Sequence, residues 1–323
     1  MKTTAALLAL GLSAFSTEAK PILKRADASE AASVGYATQN GGTTGGAGGT
    51  STTVSTLADL VACAKQDGAA ICIVDGTIEG AEAVKVTSKK TIIGKDSKAI
   101  LKGVGFKVNG SKKEKVSNVI IRNLSIDKVL ASTGDAIGVQ YAENVWVDHC
   151  DLQGDRTQSD KDLYDGLFDV THGTDYVTIT NSYLHNHWKG SLIGHSDSNK
   201  DEDTGHLTVT FANNYFYDIN SRGPSFRFGT GHIFNNYYEK ISDAINSRLG
   251  AQLLVEGNTF VDVSKPLYAV DNDGYAVVKD NDFGNGSNTA PAGSVTVPYT
   301  YTALSAAKVK AAVVGTAGAT LTF

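Results

Sequence analysis

A short phrase of alternating apolar residues recurs along this chain, and its spacing limits the possible folds more than any other feature. One position of the phrase runs through Leu124, Cys150, Ser182, Asn214, Asn236, Asn258 and Asn281. The last four of these residues are 22, 22 and 23 residues apart. Alternation is typical of β-strands, and a short regular repeat indicates strands stacked coil upon coil. The repeat therefore predicts an all-β chain, a single right-handed parallel β-helix.

Other repetitive folds fit this pattern less well. A leucine-rich repeat would need the LxxLxL pattern, which these repeats lack, and a propeller blade needs about 40 residues. An irregular β-sandwich with Asn-rich turns is the remaining alternative, and the steady spacing disfavours it. In a β-helix the stacked asparagines would hydrogen-bond from coil to coil and satisfy buried backbone groups.

The ends and the longer coils differ from the repeat. Residues 55–64 read as an amphipathic helix that caps the N-terminal end, with Thr56 and Asp59 as a capping box. Residues 302–314 have helical spacing and are expected to pack on the outside. Insertions at 155–161 and 196–204 lengthen two coils. Insertions in a solenoid map to loops and often wall a binding cleft.

The N-terminus has the pattern of a secretory leader. A charged start, an apolar stretch over 5–15 and small residues around Ala19 predict a signal peptide at 1–20. The dibasic pair Lys24–Arg25 offers a second processing site, with two surface charges as the alternative. The single domain would then span 26–323. The apolar stretch is too short for a membrane span and no later segment has the length, so we expect a secreted, extracellular protein without a membrane partner.

Secretion affects the cysteines and asparagines. Cys63 and Cys72 are predicted to form a local disulfide in an oxidising compartment, with Cys150 as a buried free thiol. The net charge of −5 argues against a nucleic-acid partner, and a capped solenoid predicts a monomer. Candidate glycosylation acceptors in Asn-X-Ser triplets are Asn109, Asn123 and Asn285.

Charged residues recur at one angular position of the coil. Each lies 9 to 17 residues before the repeat position that follows it. For Lys189, this count leaves out the residues of the insertion 196–204. Asp165 and Asp169 are four residues apart, so on one strand they would face the same side. One face is therefore predicted to carry Asp135, Asp165, Asp169, Lys189, Arg222 and Arg227.

Stacked carboxylates constrain the chemistry of this face. Carboxylates one strand spacing (~4.8 Å) apart repel one another, so they need a cation or raised pKa values. Oxygen ligands without His or Cys favour Ca²⁺. A solvated acidic stripe paired with lysines is the alternative, but the adjoining Lys189, Arg222 and Arg227 favour a surface for a negatively charged polymer.

Several blocks of the sequence resemble the pectate lyases of polysaccharide lyase family 1, specifically the secreted fungal type. Val145-Trp-Val-Asp-His149 and Arg222-Gly-Pro-Ser-Phe-Arg227 are specific when they occur together. The resemblance covers nearly all of the chain after the leader. Further matching blocks are Gly35-Tyr-Ala37, Gly41-Gly-Thr-Thr-Gly-Gly46, Thr91-Ile-Ile-Gly94 and Asp165-Gly-Leu-Phe-Asp169.

The resemblance implies an activity and a role for each residue on the charged face. It implies calcium-dependent cleavage of de-esterified polygalacturonate by β-elimination, which leaves 4,5-unsaturated oligogalacturonides. Lys189 and Arg227 would bind substrate carboxylates, and Arg222 would be the base. Some members carry another aspartate where this chain has Thr133. The Ca²⁺ ligands would be Asp135, Asp165 and Asp169.

Three points stay open at this stage. Arginine is a poor base because its pKa exceeds 12, so Arg222 is either a base activated by nearby cations or a carboxylate clamp. A pectin lyase acting on methyl-esterified pectin without calcium is a second hypothesis, and a non-catalytic β-helix that binds cell-wall polysaccharide is a third. His149, His185 and His187 are expected to make structural hydrogen bonds rather than bind zinc.

Overall fold

Short parallel strands make up most of the described chain. The computed structural model describes residues 26–271 and 273–323, so the predicted signal peptide (1–20) and the Lys24–Arg25 site lie outside the described residues. A short 3₁₀ helix, Tyr36–Thr38, precedes the first strand. The strands are β1 (Thr50–Val54), β2 (Ala70–Val74), β3 (Thr77–Lys85), β4 (Lys90–Gly94), β5 (Ile100–Asn109), β6 (Val116–Arg122), β7 (Ser125–Asp127), β8 (Ile137–Gln140), β9 (Ala142–Asp148), β10 (Asp151–Gln153), β11 (Phe168–Thr171), β12 (Asp175–Thr180), β13 (Tyr183–Lys189), β14 (Leu192–Ile193), β15 (Thr208–Ala212), β16 (Tyr215–Ser221), β17 (Ser225–Arg227), β18 (Thr230–Phe234), β19 (Tyr237–Arg248), β20 (Gln252–Glu256), β21 (Thr259–Tyr268) and β22 (Tyr275–Lys279).

These strands form two parallel sheets whose order follows the coils. The ten-stranded sheet runs β1-β2-β4-β6-β9-β12-β15-β18-β20-β22, so each coil adds one strand. The twelve-stranded sheet covers two faces because its long strands bend: β5 pairs with β7 through its first half and with β8 through its second. The predicted parallel β-helix is confirmed, and one continuous apolar core fills it from Val54 to Ala290.

The repeat position that defined the period forms a hydrogen-bonded ladder, which we call the Asn ladder. Asn236 Oδ1 accepts from the backbone N–H of Asn214 at 2.9 Å, and Asn258 Oδ1 accepts in the same way from Asn236. The ladder continues from Ser182 to Asn281. Asn214, Asn236 and Asn258 are fully buried, so each coil satisfies the polar groups of the coil before it, as the spacing predicted.

Three helices complete the described fold. Helix α1 (Leu57–Lys65) begins after Thr56, whose hydroxyl accepts from Asp59 N at 3.2 Å. The disulfide Cys63–Cys72 joins α1 to β2. Helix α2 (Lys200–Asp203) lies inside the second insertion.

Helix α3 packs on the outside, as predicted, but begins later than expected. It spans Ala306–Val313, and its Val309 and Val313 pack on Tyr237. Leu304 is instead held in an extended segment by Asn235, which hydrogen-bonds both its N–H and its carbonyl. No helix among the described residues has the length and apolarity to cross a membrane.

The structure separates the three candidate glycosylation acceptors. Asn285 is exposed, and Asn109 is half-buried at the end of β5. Asn123 is fully buried, and its amide donates to Gly94 O and Leu321 O while its Oδ1 accepts from Leu321 N. The fold leaves no room for a glycan on that nitrogen, so the prediction for Asn123 is wrong.

Candidate active site

Three carboxylates from two neighbouring coils line one cavity on the twelve-stranded sheet. We call Asp135, Asp165 and Asp169 the acidic cluster. They share a cavity of about 290 Å³ with Arg222. Asp169 lies on β11 in register with Gly138 of β8. A Cβ at position 138 would lie 3.0 Å from Asp135 Oδ2, so a larger residue there would crowd the Asp135 carboxylate.

The prediction that Asp165 and Asp169 share one strand is wrong, although both line the same cavity. Asp165 and Asp169 do not share a strand, because β11 begins at Phe168. Asp165 lies in the preceding loop. The backbone N–H of Gly166 in that loop donates to Asp135 Oδ1 at 2.9 Å, which draws the loop to the cluster.

Each carboxylate of the acidic cluster has one engaged oxygen. Asp169 Oδ1 accepts from Leu192 N at 2.9 Å, and Asp165 Oδ1 accepts from Lys189 Nζ at 3.4 Å. Within the described chain, the Oδ2 atoms of Asp135, Asp165 and Asp169 have no hydrogen-bond partner. Three oxygens are therefore left for another ligand.

Burial and mutual repulsion make the cluster electrostatically unfavourable. Burial, and then the charge of Asp165, raise the pKa of Asp135 to about 6. Burial, and then the charge of Asp135, raise the pKa of Asp169 well above its ordinary value. Arg222 opposes both shifts only in part, and Lys189 opposes that of Asp135. A cation held between the carboxylates would relieve this repulsion.

The donor set suits a hard cation that shares its coordination sphere with a ligand. Ca²⁺ takes six to eight oxygens, so three carboxylates leave positions for a substrate carboxylate or water. In the part of the chain that the structure describes, no three His, Cys, Asp or Glu side chains are gathered closely enough to hold a metal by themselves. Carboxylates that carry like charges repel one another, so without a bound cation they are expected to stay too far apart to form such a group.

The predicted cations lie at different places around the cluster. Lys189 Nζ is 3.2 Å from Asp162 Oδ1 as well as near Asp165. Arg222 lines the shared cavity and is half-buried, and its guanidinium makes no hydrogen bond or ion pair to any described residue. Its backbone φ of 66° is unusual for a residue with a side chain. Arg227 lies outside that cavity and binds Asp197 at 2.6 Å.

Sequence reasoning missed several residues of the site. His172 and His195 stack with ring centroids 4.0 Å apart, and both line the cavity. Glu202, in the second insertion, holds His172 Nδ1 at 2.8 Å. Burial, and then the neighbouring His172, lower the pKa of His195. The available signal was the insertion 196–204, which was expected to wall a cleft.

The remaining histidines make structural contacts, as expected. His149 Nδ1 lies 2.7 Å from the buried carboxylate of Asp148, which also accepts from Arg122 Nε at 2.8 Å. This block lies on the ten-stranded sheet, away from the acidic cluster. His185 pairs with Asp151, and burial lowers the pKa of His187 to about 4.

The fold and the site define the class of protein, a parallel β-helix with a carboxylate cluster and cationic side chains on one sheet. Comparison with known proteins identifies the family. The chain belongs to the pectate lyase family, because the sequence model of that family matches residues 2–321. It is 61% identical to pectate lyase A of Aspergillus niger over 302 residues, covering 93% of this chain and 91% of that protein. It is 57% identical to pectate lyase A of Emericella nidulans, covering 93% of this chain and 90% of that protein.

Solved structures agree with this assignment. The pectate lyase Bsp165PelA from Bacillus sp. N165, in complex with trigalacturonate, superposes with a TM-score of 0.78 at 30% identity. That match covers 89% of this chain and 98% of the Bacillus protein. Pectate lyase II from Xanthomonas campestris matches with a TM-score of 0.75 at 26% identity, covering 89% of this chain and 98% of that protein.

Proposed function

We propose that this protein is a calcium-dependent pectate lyase that cleaves de-esterified polygalacturonate by β-elimination. The observation that carries the proposal is the acidic cluster beside Arg222, where three carboxylates each keep an oxygen that bonds to none of the residues that the structure describes. The complex of the related Bsp165PelA with trigalacturonate supports a galacturonate polymer as substrate.

Each charged residue has a proposed role in substrate binding. Lys189 and Arg227 bind uronate carboxylates, since they end β13 and β17 of the sheet that carries the cluster. Asp135, Asp165 and Asp169 hold Ca²⁺ through their free oxygens. When bound, the ion supplies positive charge that links these carboxylates to a substrate carboxylate and acidifies the adjacent carbon.

The reaction needs a base for a carbon-bound proton. Arg222, acting in its neutral guanidine form, takes the proton from the carbon alpha to the uronate carboxylate and becomes guanidinium. The C–H pair becomes the new C=C bond, and the glycosidic oxygen at the beta carbon leaves with its bonding pair and takes a proton from water. Lys189 and Arg227 stabilise the carboxylate as it becomes enolate-like. The side chain of Arg222 is placed for this role because Arg222 lines the cavity and its side chain has no partner among the described residues.

The two other hypotheses predict a different site. A pectin lyase acting on methyl-esterified pectin would have no use for stacked carboxylates whose pKa values are raised, as they are at Asp135 and Asp169. A wall-binding β-helix without catalysis would not need Arg222 beside that cluster. The acidic cluster therefore favours a pectate lyase.

We also propose that the protein is secreted and acts as a monomer on plant cell-wall pectin. The Cys63–Cys72 disulfide supports an oxidising compartment.

Ultraviolet absorbance during incubation with polygalacturonate tests the proposed function, because elimination leaves a conjugated, absorbing product and hydrolysis leaves none. We expect a rise with Ca²⁺ that a chelator abolishes. A rise on methyl-esterified pectin that survives the chelator would identify a pectin lyase. No rise on either polymer would overturn the enzymatic proposal.

A further inference from the structure

Asp197 joins two arginines at the edge of the proposed active site. Its Oδ1 accepts from Arg227 Nε at 2.6 Å, and its two oxygens lie 3.0 and 2.9 Å from Arg248 Nη2. Asp197 belongs to the insertion 196–204, which interrupts the repeat. A loop that the β-helix does not require therefore supplies the partner of a residue proposed to bind substrate.

The two arginines need a carboxylate between them. Arg227 of β17 and Arg248 of β19 are register partners on adjacent strands, so their positive charges lie close together and repel. The side chains of Arg227 and Arg248 are 12% and 21% exposed, whereas that of Asp197 is 57% exposed. Asp197 thus closes a half-buried arginine pair from the solvent side.

The contacts of Arg227 leave one side of its guanidinium open. Nε is held by Asp197, and Nη1 donates to Gly194 O at 2.7 Å. Gly194 is required at that place, because a Cβ there would come within 2.9 Å of Arg227 Cβ and its φ is +80°. Nη2 has no partner in the described residues and stays available for an oxygen ligand.

We propose that Asp197 is a positioning residue that orients Arg227 toward the substrate carboxylate, an inference that rests on the proposed function. Asp197 fixes the Nε edge, Gly194 fixes one end, and the Nη2 edge receives the uronate. Arg248 keeps Asp197 in place and shares its charge. Asp197 is thereby the residue of the insertion 196–204 that supports substrate binding, although its own side chain need not touch the substrate.

The opposite role would leave the same contacts. Asp197 could occupy Arg227 in place of the substrate, so that the uronate must displace it. The two roles differ in sign: removing a positioning carboxylate weakens catalysis, whereas removing a competing carboxylate tightens substrate binding.

The test compares Asp197→Asn with Asp201→Asn, which removes the same charge from an exposed residue of the same insertion. Initial rates on polygalacturonate give kcat and KM, and circular dichroism gives Tm. We expect Asp197→Asn to lower kcat/KM about tenfold, partly through kcat, with Tm close to that of the wild type. Asp201→Asn should match the wild type. Asp197→Glu, which restores the charge, should recover most of the loss and provides a second variant if Asp197→Asn fails to fold.

A double-mutant cycle with Arg227→Lys tests the route of the effect. If Asp197 acts through Arg227, adding Asp197→Asn to Arg227→Lys causes little further loss. A lower KM in Asp197→Asn, an equal loss in Asp201→Asn, or additive losses in the cycle would each overturn the proposal.

Calorimetric titration with trigalacturonate distinguishes failure of the Asp197 proposal from failure of the proposed function, because it measures binding without catalysis. If the wild type binds trigalacturonate without turnover, the proposed function fails but the role of Asp197 is still tested, and we expect Asp197→Asn to bind more weakly. If the wild type neither turns over nor binds, both proposals are overturned.

Discussion

The Asn ladder and the acidic cluster differ in whether their stacked polar groups are paired. Both stack polar side chains from successive coils. In the ladder, every buried amide finds a donor or acceptor in the next coil, as Asn236 does with Asn214 and Asn258. In the cluster, Asp135 and Asp169 face like charges, and their pKa values rise.

This difference separates a structural feature from a functional one. A satisfied polar ladder stabilises the fold and specifies its register. A cluster of unneutralised carboxylates opposes folding. Its presence therefore points to a function, the binding of a ligand, and not to a role in stability. Substitutions in the ladder should therefore lower stability. Substitutions in the cluster and its neighbours should lower activity, and those that relieve the repulsion should also raise stability.

The largest expected effect is on activity. Arg222→Lys should lower kcat by about three orders of magnitude or more, because the shorter lysine side chain cannot bring a basic nitrogen to the proton in the same geometry. The free energy of unfolding should stay unchanged, since Arg222 makes no hydrogen bond or ion pair to any described residue. Absorbance assays and urea denaturation measure the two quantities.

Arg156→Lys is the matched control for this change, because Arg156 pairs with Asp218 away from the acidic cluster. It should retain full activity. If Arg222→Lys kept most of its rate, the base assignment would be wrong and a carboxylate clamp would remain.

The next largest effect is on stability, from breaking the Asn ladder. Asn236→Ala removes the acceptor of Asn214 N and the donor to Phe211 O. Each buried group left unpaired costs ~1–3 kcal/mol, so we expect a loss of about 3 kcal/mol in the free energy of unfolding. Urea denaturation measures it, and the exposed Asn285→Ala serves as control. A loss below that of the control would show that the ladder is dispensable.

A smaller effect of opposite sign is expected in the acidic cluster. The folded-state pKa of Asp135 is raised to about 6 from 3.8, so the folded protein binds this proton more tightly than the unfolded chain. The stability linked to it is present below pH 4 and is lost as pH rises through about 6. With a chelator at pH 7, Asp135→Asn should therefore be more stable than the wild type, by on the order of 2 kcal/mol.

Two conditions sharpen this prediction. At pH 4 the difference between Asp135→Asn and the wild type should nearly vanish, and added Ca²⁺ should raise the Tm of the wild type but not of the variant. Equal thermal unfolding curves at pH 7 in chelator would contradict the assigned repulsion.

The smallest effect concerns the surface. In a secreted preparation from a glycosylating host, we expect a glycan on Asn285, which is exposed, and none on Asn123, which is buried. Asn285→Gln should remove the mass of one glycan and change stability by less than about 0.5 kcal/mol. Mass spectrometry of glycopeptides distinguishes the sites, and a glycan on Asn123 would contradict the buried amide contacts.

Much of the architecture was predictable because the β-helix is a local, repeating structure. A period near 22 residues set the coils, and the asparagines at that period identified the ladder. The α1 cap followed from Thr56 and Asp59, which are neighbours in sequence. The start of α3 was not predictable, because Asn235 holds Leu304 in an extended segment across 69 residues of sequence.

The residues of the site also fall into those that the repeat predicts and those that it does not. The angular position of Asp135, Asp169 and Arg222 could be counted from the repeat, since coil geometry converts sequence spacing into a shared face. The partners that tune that face could not. Asp197 on Arg227, Glu202 on His172 and the stacking of His172 on His195 all depend on how an irregular insertion folds back.

The sequence by itself thus determined the β-helix, its polar ladder and the face that carries the charges, because each depends on a period that the chain repeats. Only the tertiary structure decided which oxygens of the acidic cluster stay free, that Asn123 is buried, and that Arg227 is held by Asp197. Those features depend on contacts between loops of unequal length, and no period relates such loops to one another.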